Sequence, residues 1–456
     1  MSASHALKAS RCRKPGPAAG ALLLAVPVLT VWACSSDEAQ VAGPWGTTDA
    51  SADTAASDAT SGKDQHSEGA AGTGGAQSDA MLLDGPDLDA PAANLVRIGD
   101  TFEIPTVTQA TPKRTPDVAY DPLHDVYVVV HGNNTIGGAF VSADGAPVGA
   151  PFQIQSATAW AQAPRIACEA LQGICLVTWH DAREDPNSPR VWARALTYDN
   201  GSPKFLGPDF RVNPDPSYQE NAAAVAWSAA SQEFLVVWQK AAQSDIRAQR
   251  VAASGTLLGG EMTISSDADW QGEPAVACSE ASNECFIAHT HADAVGAKVV
   301  SRRVQAGSGT LLGDPVTLAE AKGTWVPNIA YLPWTGGYFV GWWQGELQGR
   351  FVQADGAPSG TPLPIAVGYG AYDGFSMALH AASGTFGAVF HGTTDEDWAA
   401  ALSPSGATGA VIEATQTPGT EGNFNPRIAA HAARREWLIV TSTGFAKVAG
   451  QRVGIP

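Results

Sequence analysis

One pattern of residues recurs seven times between Pro116 and the C-terminus, and that recurrence leaves the chain few architectures to choose from. Each copy opens on a short Pro-x-Val-Ala-like segment and turns into an aromatic and aliphatic run. It then crosses a polar loop into a further strand and closes on a Gly-marked turn. The openings are Pro116-Asp117-Val118-Ala119, Pro164-Arg165-Ile166-Ala167, Ala223-Ala224-Val225-Ala226, Pro274-Ala275-Val276-Ala277, Pro327-Asn328-Ile329-Ala330, Phe375-Ser376-Met377-Ala378 and Pro426-Arg427-Ile428-Ala429, spaced by 48, 59, 51, 53, 48 and 51 residues. A period near 50 with several short strands per repeat is the signature of a propeller blade, because one four-stranded sheet cannot bury both faces until neighbours stack on it. The expected fold is therefore all-β: a seven-bladed β-propeller of four-stranded antiparallel blades over residues 95–456.

The second strand of each copy is the most regular, as in Tyr127-Val128-Val129-Val130, Phe234-Leu235-Val236-Val237-Trp238 and Trp437-Leu438-Ile439-Val440. Continuous β-branched and aromatic runs of this length belong to strands covered on both faces, which a blade between two blades supplies. The third strand and its turn repeat almost verbatim: Phe140-Val141-Ser142-Ala143-Asp144-Gly145 returns as Phe351-Val352-Gln353-Ala354-Asp355-Gly356. The seventh copy has only three strands before Pro456. The fourth is predicted at the other end of the repeat region, where Gly99-Asp100-Thr101-Phe102-Glu103-Ile104 matches the outer-strand segment Gly149-Ala150-Pro151-Phe152-Gln153-Ile154. An N-terminal strand completing the last blade would close the ring and remove its open edges.

Residues 1–33 read as a signal peptide, with a basic start ending at Lys14 followed by the apolar run Ala18 to Ala33, too short to span a bilayer comfortably. The run ends in Val31-Trp32-Ala33-Cys34, which resembles the lipobox of Gram-negative bacterial lipoproteins, although Trp32 is bulkier than that pattern favours. The resemblance implies that Cys34 becomes the lipidated N-terminal residue, anchored by acyl chains at about 0.8 kcal/mol per buried methylene. Ser35 in place of Asp implies onward sorting to the outer membrane. Val-x-Ala also fits an ordinary leader-peptidase site, and that route would give a secreted protein. With its signal, tether and repeats, the chain resembles repeat-containing surface lipoproteins of Gram-negative bacteria.

Residues 34–94 form an acidic Ala/Ser/Gly/Asp tether. Between residues 35 and 94 eleven acids stand against Lys63 with few large apolar groups, a composition that cannot offset the entropy of ordering. Of the net charge of -18, this stretch contributes -10, residues 1 to 18 contribute +4 and the rest -12. No segment clusters Lys and Arg, so nucleic acid is not an expected partner.

Six cysteines divide by position. Cys12 lies in the signal and Cys34 takes the lipid, while Cys168/Cys175 and Cys278/Cys285 repeat an i, i+7 spacing across the first hairpin of blades two and four. A disulfide in each hairpin is expected, in a compartment that permits oxidation.

Residues that look chemical fall on repeat positions. Phe102-Glu103-Ile104-Pro105 is close to the Phe-Arg-Ile-Pro motif of sialidases, but Glu103 stands where their carboxylate-binding Arg would be, so an ordinary outer strand is expected. His131, His180, His289, His291 and His391 all fall near the end of a second strand, where other blades have Trp179, Trp238, Trp342 or Phe390. They read as packing positions, and neither a metal nor a cofactor is expected. The acid runs Asp181/Glu184/Asp185 and Asp395/Glu396/Asp397 read as solvated loops in preference to Ca²⁺ ligands. An aromatic residue precedes the first strand in six blades: Trp160, Tyr218, Trp270, Trp325, Tyr372 and Phe424. Such a ring could form a ligand rim for sugars or peptide side chains, or could wedge between blades; packing produces fixed placement as readily as binding does.

The function expected from these readings is a cell-envelope lipoprotein, membrane-attached through its lipid. It would present a monomeric propeller as a non-catalytic module that binds a glycan or an envelope protein. The alternative from another class is a carbohydrate-active enzyme, a glycoside hydrolase or lyase, which requires a convergent carboxylate pair that no spacing here identifies.

Overall fold

The computed structural model describes residues 86–107, 115–213, 220–241, 244–321, 325–369, 374–392, 396–415, 423–444 and 447–456; the proposed signal, Cys34 and nearly all of the tether lie outside them. All regular structure among the described residues is strand and turn. The strands form seven four-stranded antiparallel blades in a ring, six of them in simple sequence order from the inner strand outward. The inner strands are Asp117–Asp121, Ala161–Cys168, Glu220–Ser228, Trp270–Cys278, Trp325–Leu332, Phe375–His380 and Asn423–Ala430. A single bridge from Asn133 to Gln162 joins the ladders of blades one and two.

Closure follows the sequence expectation. Val96–Ile104 pairs antiparallel with Lys447–Gly454, so blade seven takes its outer strand from the N-terminal side. One device makes outer strands alike: a glycine with positive φ interrupts the ladder at Gly99 (68°), Gly149 (70°), Gly259 (67°), Gly313 (64°) and Gly360 (63°). The mirror-image backbone there is open to glycine at little cost, and the resulting bulge shifts the register. Beyond the bulge, Phe102 lies over Gly450 as Phe152 lies over Gly138, so a β-carbon at either glycine would collide with the ring. Two blades depart from the template. The outer strand of blade two is split into Ser202–Phe205 and Phe210–Arg211, and that of blade six is reduced to Ile412–Glu413.

The core lies between blades. Ile174–Asp181 is buried at every position, and Trp179, Trp238, Trp342 and Trp437 are completely enclosed. Leu176, Val191 and Ala193 of blade two pack against Phe234, Val236 and Trp238 of blade three; equivalent clusters fill the other gaps. Each buried aliphatic or aromatic side chain contributes roughly 1.5–3 kcal/mol, and here that burial exists only because blades stack. Polar links reinforce the stacking: Arg194 donates to the Ile154 carbonyl at 2.7 Å and Arg350 to the Leu318 carbonyl at 2.9 Å, both in the preceding blade.

Both expected disulfides are present. Cys168–Cys175 and Cys278–Cys285 each join residues directly opposite one another across the inner hairpin. They are consistent with an exported protein folded in an oxidising compartment.

Candidate ligand site in the central channel

Prolines open five of the seven repeat motifs, and the residue before each of four of them has a left-handed backbone: Ala163 (φ 52°), Glu273 (51°), Val326 (50°) and Asn425 (54°). Local rules argue against this. The residue before proline favours extended conformations, and positive φ in β-branched Val326 is an outlier costing on the order of 1–3 kcal/mol. The ladder imposes it. In blade two, Gln162 pairs with His180 but Arg165 pairs with Thr178, so two inner-strand residues face Trp179 alone. The same two-against-one bulge faces Trp238, His289, Trp342 and Thr441 in blades three, four, five and seven.

The second residue of every opening motif faces one shared space, in the five bulged blades and in blades one and six alike. Asp117, Arg165, Ala224, Ala275, Asn328, Ser376 and Arg427, one per blade, line a single cavity of about 170 Å³, joined by Glu273 from a bulge. Two of them clamp adjacent blades: Asp117 accepts the Ile166 N–H at 3.0 Å and Asn328 accepts that of Met377 at 3.2 Å. Ala224 and Ala275 contribute only methyl side chains to the lining.

Four charges share this space. Arg427 donates to the Phe375 carbonyl at 3.1 Å and holds its Nε 4.0 Å from Asp117. Burial, with Arg165 as a like charge nearby, pushes Arg427 down to about 10, while burial raises Asp117 against the pull of both arginines. Among the described residues Arg165 donates only to its neighbour's carbonyl, Pro164 O, at 2.9 Å. Glu273 makes no hydrogen bond or ion pair with any described residue. Since a guanidinium carries five donors in a fixed fork, most donors of Arg165 and Arg427 are unengaged. Sequence inspection passed over these residues because the motif was read for its apolar positions. The signal was nonetheless present, as charged residues at the x of Pro-x-Val-Ala.

The predicted rim residues are placed less uniformly. Trp160 is 40% exposed, and Trp270 is half-buried with its ring folded over Gly272. Trp325 and Phe424 are the first and second residues of their inner strands, opposite Trp343 and Ser442, and their side chains are outside the description. Tyr218 and Tyr372 lie outside the described residues. The lead-in to the inner strand and the end of the second strand occupy one rim, since Ala161 pairs with Asp181 and Gln271 with His291.

The histidines separate into classes that spacing alone had merged. His131 and His289 stand where Trp179 and Trp238 do and are enclosed, His289 opposite a bulge, and burial pushes His289 down to about 4. His180 stands one residue later, accepts the Ala223 N–H at 3.4 Å, and is pushed to about 4 by burial and Arg165. His391 faces Asp397 at 3.3 Å. Asp397, expected in a solvated loop, is instead fully buried and its carboxyl is raised by burial. Asp181 is likewise enclosed, accepting from Trp179, Gln155 and Arg183 at 3.0, 3.2 and 2.6 Å; Asp395 lies outside the described residues. Glu103 sits exposed on the closing strand, 3.0 Å from Lys447, as an ordinary outer-strand residue would.

No protein-family model and no curated protein matches the sequence. Among solved structures the chain is similar to Raptor from Chaetomium thermophilum, with 9% identity and a TM-score of 0.53 over 80% of this chain and 30% of that one. It is also similar to a prolyl endopeptidase structure, with 10% identity and a TM-score of 0.43 over 76% of this chain and 50% of that one. The chain thus spans half or less of these proteins. At 9% identity the likeness to Raptor shows a shared fold and nothing of activity.

Proposed function

We propose that this protein is an exported lipoprotein, held to the cell envelope through Cys34, whose propeller is a non-catalytic binding module with its ligand in the central channel. The observation that carries the binding reading is the set of unengaged charges in the cavity. Arg165 offers donors and Glu273 offers acceptors into one space, while Asp117 is already occupied by a backbone N–H and by Arg427. Arg165, Glu273 and Arg427 are half-buried around the cavity, and a ligand with matching groups would gain charge-assisted hydrogen bonds from them. An anionic group fits the arginine side and a cationic group fits Glu273, so the ligand class is a small zwitterion of the amino-acid type. A volume of about 170 Å³ suits a molecule of that size.

Calorimetric titration of the full chain with glycine, β-alanine, acetate and methylammonium tests the channel. A zwitterion should bind more tightly than acetate or methylammonium, and Arg165→Gln should weaken it at least tenfold. Equal affinity in the variant, or no heat from any zwitterion, would overturn the reading. The anchor is tested separately. Cys34→Ala should move the protein from the membrane to the soluble fraction and abolish incorporation of labelled palmitate, whereas unchanged fractionation removes the lipid from the proposal.

A further inference from the structure

We propose that the rim of blade four binds a divalent transition-metal ion through His291, Asp267 and Asp269, a site separate from the channel. Asp267 and Asp269 lie in the turn between the outer strand of blade three, Leu257–Ser265, and the inner strand of blade four, Trp270–Cys278. His291 ends the adjacent second strand, opposite Gln271. The ring Nε2 is 3.3 Å from Asp269 Oδ2 and Nδ1 is 3.6 Å from Asp267 Oδ2. One ligand atom from each of the three residues lies within 4.8 Å of the others.

These separations are long for charge-assisted hydrogen bonds, which run at roughly 2.7–2.9 Å. The Nε2–Asp269 separation matches the spacing between two ligands of one ion, since bonds of about 2.1 Å at tetrahedral or octahedral angles put donor atoms roughly 3.0–3.4 Å apart. The Nδ1 contact with Asp267 is on the other ring nitrogen, which cannot face the same ion, so Asp267 enters as a ligand through its place within 4.8 Å of the other two. The turn is already shaped. Asp267 Oδ1 accepts the Asp269 N–H at 3.0 Å and the Gln271 side-chain amide at 2.7 Å, leaving Oδ2 on the His291 side. A second, independent feature points the same way. Gln271 is completely buried, its amide is held against Asp267, and its Oε1 has no partner. That oxygen belongs to the amide whose nitrogen is bonded to Asp267, beside the two carboxylates. The imidazole is 9% exposed while both carboxylates are 46% exposed, so an ion has an open approach and a fixed nitrogen at its inner end.

One imidazole with two carboxylates suits Zn²⁺, Mn²⁺ or Co²⁺ better than Ca²⁺ or Mg²⁺, which take all-oxygen sets. His291 therefore differs in role from His289, which occupies the enclosed packing position two residues earlier.

Zn²⁺ titration of the tag-free full chain, followed by calorimetry, tests the site. One ion per chain is expected, with binding lost in His291→Ala and weakened at least tenfold in Asp269→Asn, whose exposed side chain leaves the core untouched. Co²⁺ should compete and develop a visible absorption band that the same variants lack. Binding of unchanged affinity in both variants, or no binding by the wild type, would overturn the proposal. Competition by an equal concentration of Ca²⁺ would overturn the metal class.

Discussion

Deleting residues 95–106 should leave a chain that accumulates as insoluble protein and shows no cooperative thermal transition. Leu95 and Ile104 are enclosed in the two clusters that flank blade seven, Leu95 with Trp437, Ile439 and Val453, and Ile104 with Val129, Leu438 and Val448. Losing both removes roughly 3–6 kcal/mol of burial, a large share of the 5–15 kcal/mol by which a folded domain is stable. The Phe102 ring that covers Gly450 goes as well, along with the ladder on Lys447–Gly454. What remains is a long, flat, unpaired edge, the feature that promotes aggregation. Soluble yield and a circular-dichroism melt decide the matter: a soluble deletion melting within a few degrees of wild type would show that the ring does not depend on this strand.

The second large effect concerns pH. Glu220 is fully enclosed where the chain enters blade three, accepting from Val191 N–H at 2.5 Å and from Asn213 at 2.8 Å, with Arg190 and Glu261 also acting on it. Burial outweighs those donors and pushes its carboxyl from 4.5 up to about 7. The folded state thus holds a proton that the unfolded chain releases earlier. The stability linked to it is complete below pH 4.5 and is lost as pH rises to 7, on the order of 3 kcal/mol in all. His180 acts in the opposite sense: its folded value near 4 lies below the ordinary 6.5, so its contribution grows as pH rises through that interval. The wild-type profile sums the two. Glu220→Gln should therefore gain on wild type by about 3 kcal/mol between pH 4.5 and 7.5, measured by urea unfolding at each pH. A difference that stays constant across that range would mean Glu220 is ionised throughout.

Much of the fold was legible because repetition averages away local ambiguity. One Pro-x-Val-Ala segment says little, but seven at near-constant spacing specify blades, and matched motifs identified the borrowed strand and both cysteine pairs. The loops were read less well. Asp397 and Asp181 belong to acid runs that look solvated in sequence, yet the cross-strand His391 draws the first into a buried network and Trp179 on its own strand and Gln155 of the preceding blade draw in the second. The histidines were grouped by nearness to strand ends, while their roles depend on a one-residue offset from the bulge, which flips a side chain to the other face of the strand.

By itself the sequence determined the number of blades, the buried second strands and the hairpins that carry disulfides, because period and hydrophobic run length are properties of the chain. Only the tertiary structure decided what lines the channel. Pre-proline residues such as Ala163 and Val326 are bent into conformations that their own preferences oppose, because the ladder to the second strand must fit two residues against one tryptophan. Arg165 and Arg427 face the shared cavity, and ring closure brings blades two and seven to the same axis. Neighbouring blades, not local sequence, make those charges face one another.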